Sequence, residues 1–221
     1  YLFITQANVE QVSYIKGCHS DEVLTVYCDF QNPEDLAAMP DGENILVSEF
    51  GAITPLSPIN IAGRFSLLNT ENANRHVLEI NRGKDKWGSD DCERNSFIFS
   101  PHGIDINQRI DGSHQLAVVN HMPNETIEMF EIIQDEGQWS LLWNGCIKAP
   151  PHGYFNDVAL KADGSFFVSQ MYDKETSLLK LAVLDNTKGH TGYVYHWTKE
   201  NGFEKVINTD GAFPNGFELS D

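Results

Sequence analysis

The chain has 221 residues, with 15 lysines and arginines against 32 aspartates and glutamates, for a net charge of −17. That balance argues against nucleic acid or an anionic membrane surface as partner and suits a protein that collects cations, although most of the carboxylates read as solvated surface. The length suffices for one domain with a sizeable core, and no apolar run approaches a membrane-spanning helix.

The opening Tyr1-Leu2-Phe3-Ile4 is too short for the apolar core of a signal peptide, which leaves a leader upstream open. Residues 1–33 read as N-terminal strands, notably Glu22-Val23-Leu24-Thr25-Val26-Tyr27, placed as an outer strand that completes a ring with the last repeat. A first unit, 34–100, takes an inner strand from Glu34, the Asp41-Gly42 turn, and Asn44-Ile45-Leu46-Val47-Ser48. After an insertion through Pro55 and Pro58 it adds Arg75-His76-Val77-Leu78-Glu79-Ile80, and the polar residues 81–95 read as a surface loop.

A second unit, 101–154, starts with an inner strand at His102 and continues with Gln115-Leu116-Ala117-Val118-Val119-Asn120-His121, which Pro123 should end. Thr126 to Glu131 and Trp139 to Trp143 supply its outer strands. A third, 155–213, takes Asn156 to Leu160, Ser165 to Ser169, Tyr193 to Trp197 and Phe203 to Ile207, and residues 214–221 open a fourth at Asn215. Asp41-Gly42, Asp111-Gly112, Asp163-Gly164 and Asp210-Gly211 are the chemistry of tight hairpins rather than of metal binding. No helical periodicity is long enough to set an element.

The units repeat. Phe155-Asn156-Asp157-Val158-Ala159-Leu160-Lys161-Ala162-Asp163-Gly164 matches Pro33-Glu34-Asp35-Leu36-Ala37-Ala38-Met39-Pro40-Asp41-Gly42 without a gap. Pro101-His102-Gly103-Ile104 and Pro214-Asn215-Gly216-Phe217 open the same way, so Glu34, His102, Asn156 and Asn215 are equivalent at spacings of 68, 54 and 59 residues. Short strands repeated at that period predict an all-β fold, a β-propeller of which this chain is a fragment of about three to four blades. The four equivalent side chains then converge near one end of a central channel.

Glu34, Asn156 and Asn215 bring one carboxylate and two amide oxygens, a donor set suited to calcium; zinc is disfavoured, with no cysteine and a single histidine in the ring. Spacing alone leaves open whether they bind a cation or line a wet channel. Asp35 and Asp157, one residue further on, either make a second, deeper cation site or cap turns. His102 shares the ring and His121 ends the neighbouring strand, which suits a general base with a partner that orients it or relays its proton. The second Pro-His-Gly tripeptide, at 151–153, falls outside the ring register and reads as loop. The four cysteines, at 18, 28, 92 and 146, show no zinc spacing and fit either disulfides or buried thiols. Asn124-Glu125-Thr126 is a glycosylation sequon of a kind frequent by chance, and the motifs of serine hydrolases and nucleotide binders are missing.

With these residues in view the chain resembles the paraoxonase/arylesterase family of six-bladed propellers, within the wider SMP-30/gluconolactonase-like group. The resemblance rests on Glu34-Asp35-Leu36, Pro101-His102-Gly103-Ile104, Val118-Val119-Asn120-His121, Asn156-Asp157-Val158 and Phe213-Pro214-Asn215-Gly216-Phe217, over roughly residues 30–217. The paired histidine motifs are the specific part, since gluconolactonase-like relatives share the Glu and Asn ring without them. The resemblance implies two calcium ions, a catalytic one held by Glu34, Asn156 and Asn215 and a structural one held by Asp35, Asp157 and the Ile104 carbonyl. It also implies a His102–His121 dyad that activates water, and small-molecule esters and lactones as substrates.

In two respects the chain departs from the family pattern. Family members draw an adjacent Asp-Asn pair of calcium ligands from a later blade, so the piece alone is expected to bind calcium weakly and be inactive. They also tie an N-terminal cysteine to one near the C-terminus, for which Cys18 or Cys28 is the candidate half. A sugar lactonase built on the same ring, and a non-enzymatic binding propeller with a structural calcium, are the competing readings. Possible disulfides and the acidic surface point to an extracellular or periplasmic protein; the oligomeric state is not legible.

Overall fold

A computed structural model describes residues 18–51, 61–84 and 87–220. Residues 18–30 form a small unit of their own, in which Cys18 and Cys28 are disulfide-bonded and Asp21 Oδ1 accepts from the Val23 and Leu24 N–H groups at 2.8 and 2.7 Å. The strand expected over Glu22–Tyr27 does not form. The disulfide holds its two Cα atoms 5.9 Å apart, where ten residues of strand would span about 33 Å, so the segment folds back on itself. This pairing also means that neither cysteine is half of a ring-closing bridge.

From Gln31 onward the chain forms three sheets, each a propeller blade. The first orders β1 (Pro33–Ala38), β2 (Asn44–Glu49), β3 (Arg64–Asn69) and β4 (Arg75–Val77) in sequence, all antiparallel. β5 (Glu79–Arg82) leaves that sheet and pairs parallel with the last strand of the second, which is β6 (Pro101–Gln108), β7 (His114–Asn120), β8 (Thr126–Asp135) and β9 (Gln138–Lys148). The third is β10 (Phe155–Leu160), β11 (Phe166–Gln170), β12 (Tyr193–Thr198) and β13 (Gly202–Lys205). The single strand expected over Arg75–Ile80 is therefore two, divided at Leu78, whose buried side chain packs between the first and second sheets.

The second blade is apolar on both faces. On β7, Leu116 and Val118 join the core shared with the first blade, while Ala117 and Val119 join the core shared with the third, and all four are fully buried. A strand's two-residue period delivers alternate side chains to opposite faces. Burying each large aliphatic chain contributes about 1.5–3 kcal/mol, so the middle blade ties its neighbours together.

Three of the Asp-Gly pairs turn hairpins: Gly42, Gly112 and Gly164 have φ of +71°, +86° and +87°, and each preceding Asp accepts from the N–H two residues on. Asp210-Gly211 does not; Gly211 forms an isolated bridge with Gly192, and Asp210 pairs with Lys205.

Residues 87–95 form a loop that is only partly at the surface: Asp90, Asp91, Glu93 and Asn95 are exposed, as the polar composition implies. Trp87 and Ser89, however, donate to the carbonyls of Asn144 and Cys146, Cys92 is bonded to Cys146, and Arg94 is buried against Glu128. A helix, α1 (Leu178–Thr187), joins β11 to β12 where none was expected; Ser177 caps it by accepting from the Lys180 N–H. Its apolar residues make no clear stripe, and Leu179 and Val183 are exposed, so periodicity could not announce it.

Candidate functional site

Glu34, His102 and Asn156 are each the second residue of an innermost strand, β1, β6 and β10. At each, pairing with the next strand slips, between Pro33 and Asp35, Pro101 and Ile104, and Phe155 and Val158. A bulge frees a residue from the ladder and re-aims its side chain. In the first and third blades the released N–H of the following aspartate is caught by a serine of the neighbouring strand: Asp35 by Ser48 at 3.1 Å, Asp157 by Ser169 at 2.9 Å.

His102 joins these ends. Its Nδ1 lies 2.8 Å from the Asn156 carbonyl and so carries the proton, its Nε2 lies 3.2 Å from Glu34 Oε2, and its own carbonyl accepts from Ser48 Oγ at 2.6 Å. Burial lowers the pKa of His102; the Asn156 carbonyl opposes the shift and the neighbouring His121 ring adds to it. Glu34, whose carboxylate faces Nε2, also opposes the shift.

The His121 ring meets that of His102 edge to face, with centroids 5.2 Å apart, and Phe50 lies 5.5 Å from both. The hydrogen bonds of the two histidines run elsewhere, His121 Nδ1 to Glu125 Oε2 at 2.9 Å. Tyr154 stacks on His121 at 4.5 Å and Tyr172 on Tyr154 at 4.6 Å.

Carboxylates make a second group. Asp35 Oδ2 accepts from the Ile104 N–H and Asp157 Oδ2 from the Phe217 N–H, both at 2.8 Å, the same offset in the repeat. Gly103 and Gly216 occupy the alternate positions; a Cβ on Gly103 would stand 2.5 Å from Asp157 Oδ1, so a side chain there is excluded by the next blade's aspartate. Asp105 accepts from the Leu160 N–H at 2.6 Å. Asp35, Ile104, Asp105, Asp157, Phe217 and Glu218 border a cleft of about 320 Å³. Burial, reinforced by Asp35 and Asp105 against the pull of backbone N–H groups, pushes Asp157 up to about 7. Burial also raises Asp105 to about 6, with Glu218 and Asp35 adding.

Asn215 is exposed, and its Oδ1 accepts from its own neighbour, the Gly216 N–H. Of the four ring positions, contacts join Glu34, His102 and Asn156. Among the described residues no group of three or more His, Cys, Asp or Glu side chains is arranged to hold a metal. The donor chemistry nevertheless fits a hard cation: buried carboxylates that raise one another's proton affinity, each oxygen keeping a second lone pair beyond its backbone hydrogen bond.

A model of the arylesterase family matches residues 14–221. The chain belongs to the arylesterase family. No curated protein matches it. Among solved structures, this arylesterase-family chain is similar to a putative oxidoreductase (glucose dehydrogenase) from Thermus thermophilus, at 15% identity and a TM-score of 0.43, covering 85% of this chain and 54% of that one. It is also similar to the periplasmic gluconolactonase of Pseudomonas aeruginosa, at 14% identity and a TM-score of 0.42, covering 87% and 47%. The chain spans about half the length of these structures.

Sequence reasoning missed Phe50, Asp105, Glu125 and Tyr154 of this arylesterase-family site. None occupies a ring position, so the repeat carries no signal for them. Glu125 does stand four residues after His121, inside a sequon whose Thr126 is buried.

Proposed function

We propose that this arylesterase-family chain carries the metal ring and histidine pair of a calcium-dependent hydrolase of carboxylic esters and lactones. The observation behind this reading is that bulged inner strands of successive blades bring Glu34, His102 and Asn156 into one contact set, with His121 packed on His102. Glu34, Asn156 and Asn215 would hold a catalytic calcium, and Asp35, Asp157 and the Ile104 carbonyl a structural one. A cation held there would supply Lewis-acid polarisation of an ester carbonyl and positive charge for the developing oxyanion.

His102 supplies the base. Its Nδ1 proton is held by the Asn156 carbonyl, which leaves Nε2 to accept a proton from water, and burial disfavours the charged form of the ring. His121 assists from the adjoining strand. Two disulfides accord with an extracellular or periplasmic location, and no helix among the described residues is long and apolar enough to cross a membrane.

The test is hydrolysis of phenyl acetate and a hydrophobic lactone by the full-length protein, with calcium and after chelation. Activity that vanishes with chelator and returns with calcium is expected, and His102→Gln should lower kcat by about 10²–10⁴. A folded, calcium-loaded protein without activity would favour the binding propeller instead.

A further inference from the structure

We infer that Glu125 is the positioning residue of His121, a carboxylate that sets the tautomer of the second histidine; this rests on the hydrolase reading above. Glu125 is not in the inner-strand ring. It comes from the connection between β7 and β8, and its side chain is only 7% exposed, beside His121 at 8%.

Both oxygens are committed. Oε2 lies 2.9 Å from His121 Nδ1, and Oε1 accepts from the Phe155 N–H at 2.7 Å. Phe155 directly precedes Asn156, whose carbonyl holds His102, so one carboxylate ties His121 to the strand that orients the other histidine. An ionised carboxylate accepts only, which places the His121 proton on Nδ1 and the lone pair on Nε2.

The ring has little freedom to turn. Tyr154 lies parallel to it, 12° between planes, and Phe50 closes another side. Nε2 is buried and has no hydrogen-bond partner among the described residues. Buried polar atoms in native proteins are rarely left so, and the exceptions gather where a substrate or water completes them. His121, Glu125, Lys148, Pro150, Tyr154 and Lys174 border a cleft of about 650 Å³, within the range of small-molecule sites. A carboxylate fixes the tautomer and orientation of the catalytic histidine in the same way in hydrolase triads.

A double-mutant cycle in the full-length protein tests this, with phenyl acetate as the probe. Glu125→Gln keeps the shape but cannot accept from both N–H groups, and should lower kcat roughly 10- to 100-fold with KM little changed. In a His121→Asn background the same substitution should cost nothing further. Multiplicative losses in the double variant, or a Glu125→Gln enzyme with wild-type kcat, would overturn the assignment. A ¹⁵N NMR spectrum of the His121 ring in the unmutated protein needs neither a variant nor activity. It should show the Nδ1–H tautomer, and the Nε2–H tautomer would overturn the proposal even if the protein is a hydrolase. Absence of hydrolysis by the wild type, with the expected tautomer present, would instead count against the hydrolase reading.

Discussion

Two buried carboxylates of this fold meet opposite fates. Glu49, at the end of β2, is fully buried, with Arg64 at 2.9 Å, Arg75 at 2.7 Å, and Ser66 and the Gln31 N–H as further partners. Burial pushes its pKa up, but these partners outweigh burial and hold it at about 2. Asp157 is almost as buried and rises to about 7, because burial, reinforced by Asp35 and Asp105, outweighs the Phe217 and Val158 N–H groups that it accepts from. The first blade supplies its own counter-charge from β3 and β4. The cleft beside Asp157, by contrast, gathers Asp35, Asp105 and Glu218, acidic groups that a cation would balance.

The contrast can be tested from its strongest term downward. Glu49→Ala takes a fully buried carboxylate away from the partly exposed Arg64 and Arg75 and should cost about 3 kcal/mol in urea unfolding, the low end for a broken buried pair. Calcium at a hundred times its dissociation constant should stabilise the wild type by about 2.7 kcal/mol, and Asp157→Asn should abolish that calcium-dependent rise in melting temperature. If Asp157→Asn responds to calcium as the wild type does, the carboxylate group is not the cation site.

The pH response separates the two carboxylates further. Glu49 has a folded pKa below its ordinary 4.5, so its contribution is fully present above about 4.5 and lost as pH falls toward 2. Glu49→Gln should flatten that acid limb. Gly112→Ala is the mild control, remote in sequence from both carboxylates. The site has open space around it, but φ is +86°, so only backbone strain of about 1 kcal/mol is expected, without any change in calcium response.

Much of the site was legible because it is repeated. The equivalence of Glu34 and Asn156 follows from an ungapped match and that of His102 from the similar opening of its segment, and the structure sets all three at corresponding bulges. The alternation of Asp35, Gly103, Asp157 and Gly216 is likewise visible in the residues. Its meaning, a glycine making room for the next blade's aspartate, appears only once the inner strands are side by side.

What failed to be legible lies where local rules and tertiary partners disagree. In the polar run 87–95, Trp87, Cys92 and Arg94 are held inside by Asn144, Cys146 and Glu128, all distant from them in the chain, while the acidic residues between them stay exposed. β5 abandons its own sheet because β9 offers a free edge, and α1 rests on a cap rather than an amphipathic face.

The amino-acid sequence by itself determined most of the strands, three of the four Asp-Gly turns, the repeat and the common register of Glu34, His102 and Asn156. Each is written in neighbouring residues through a two-residue period and the backbone freedom of glycine. Only the tertiary structure decided which polar groups are buried, which carboxylate finds an arginine, and that Glu125 stands behind His121. Those outcomes depend on desolvation and on contacts between segments far apart in the chain, and no local pattern encodes them.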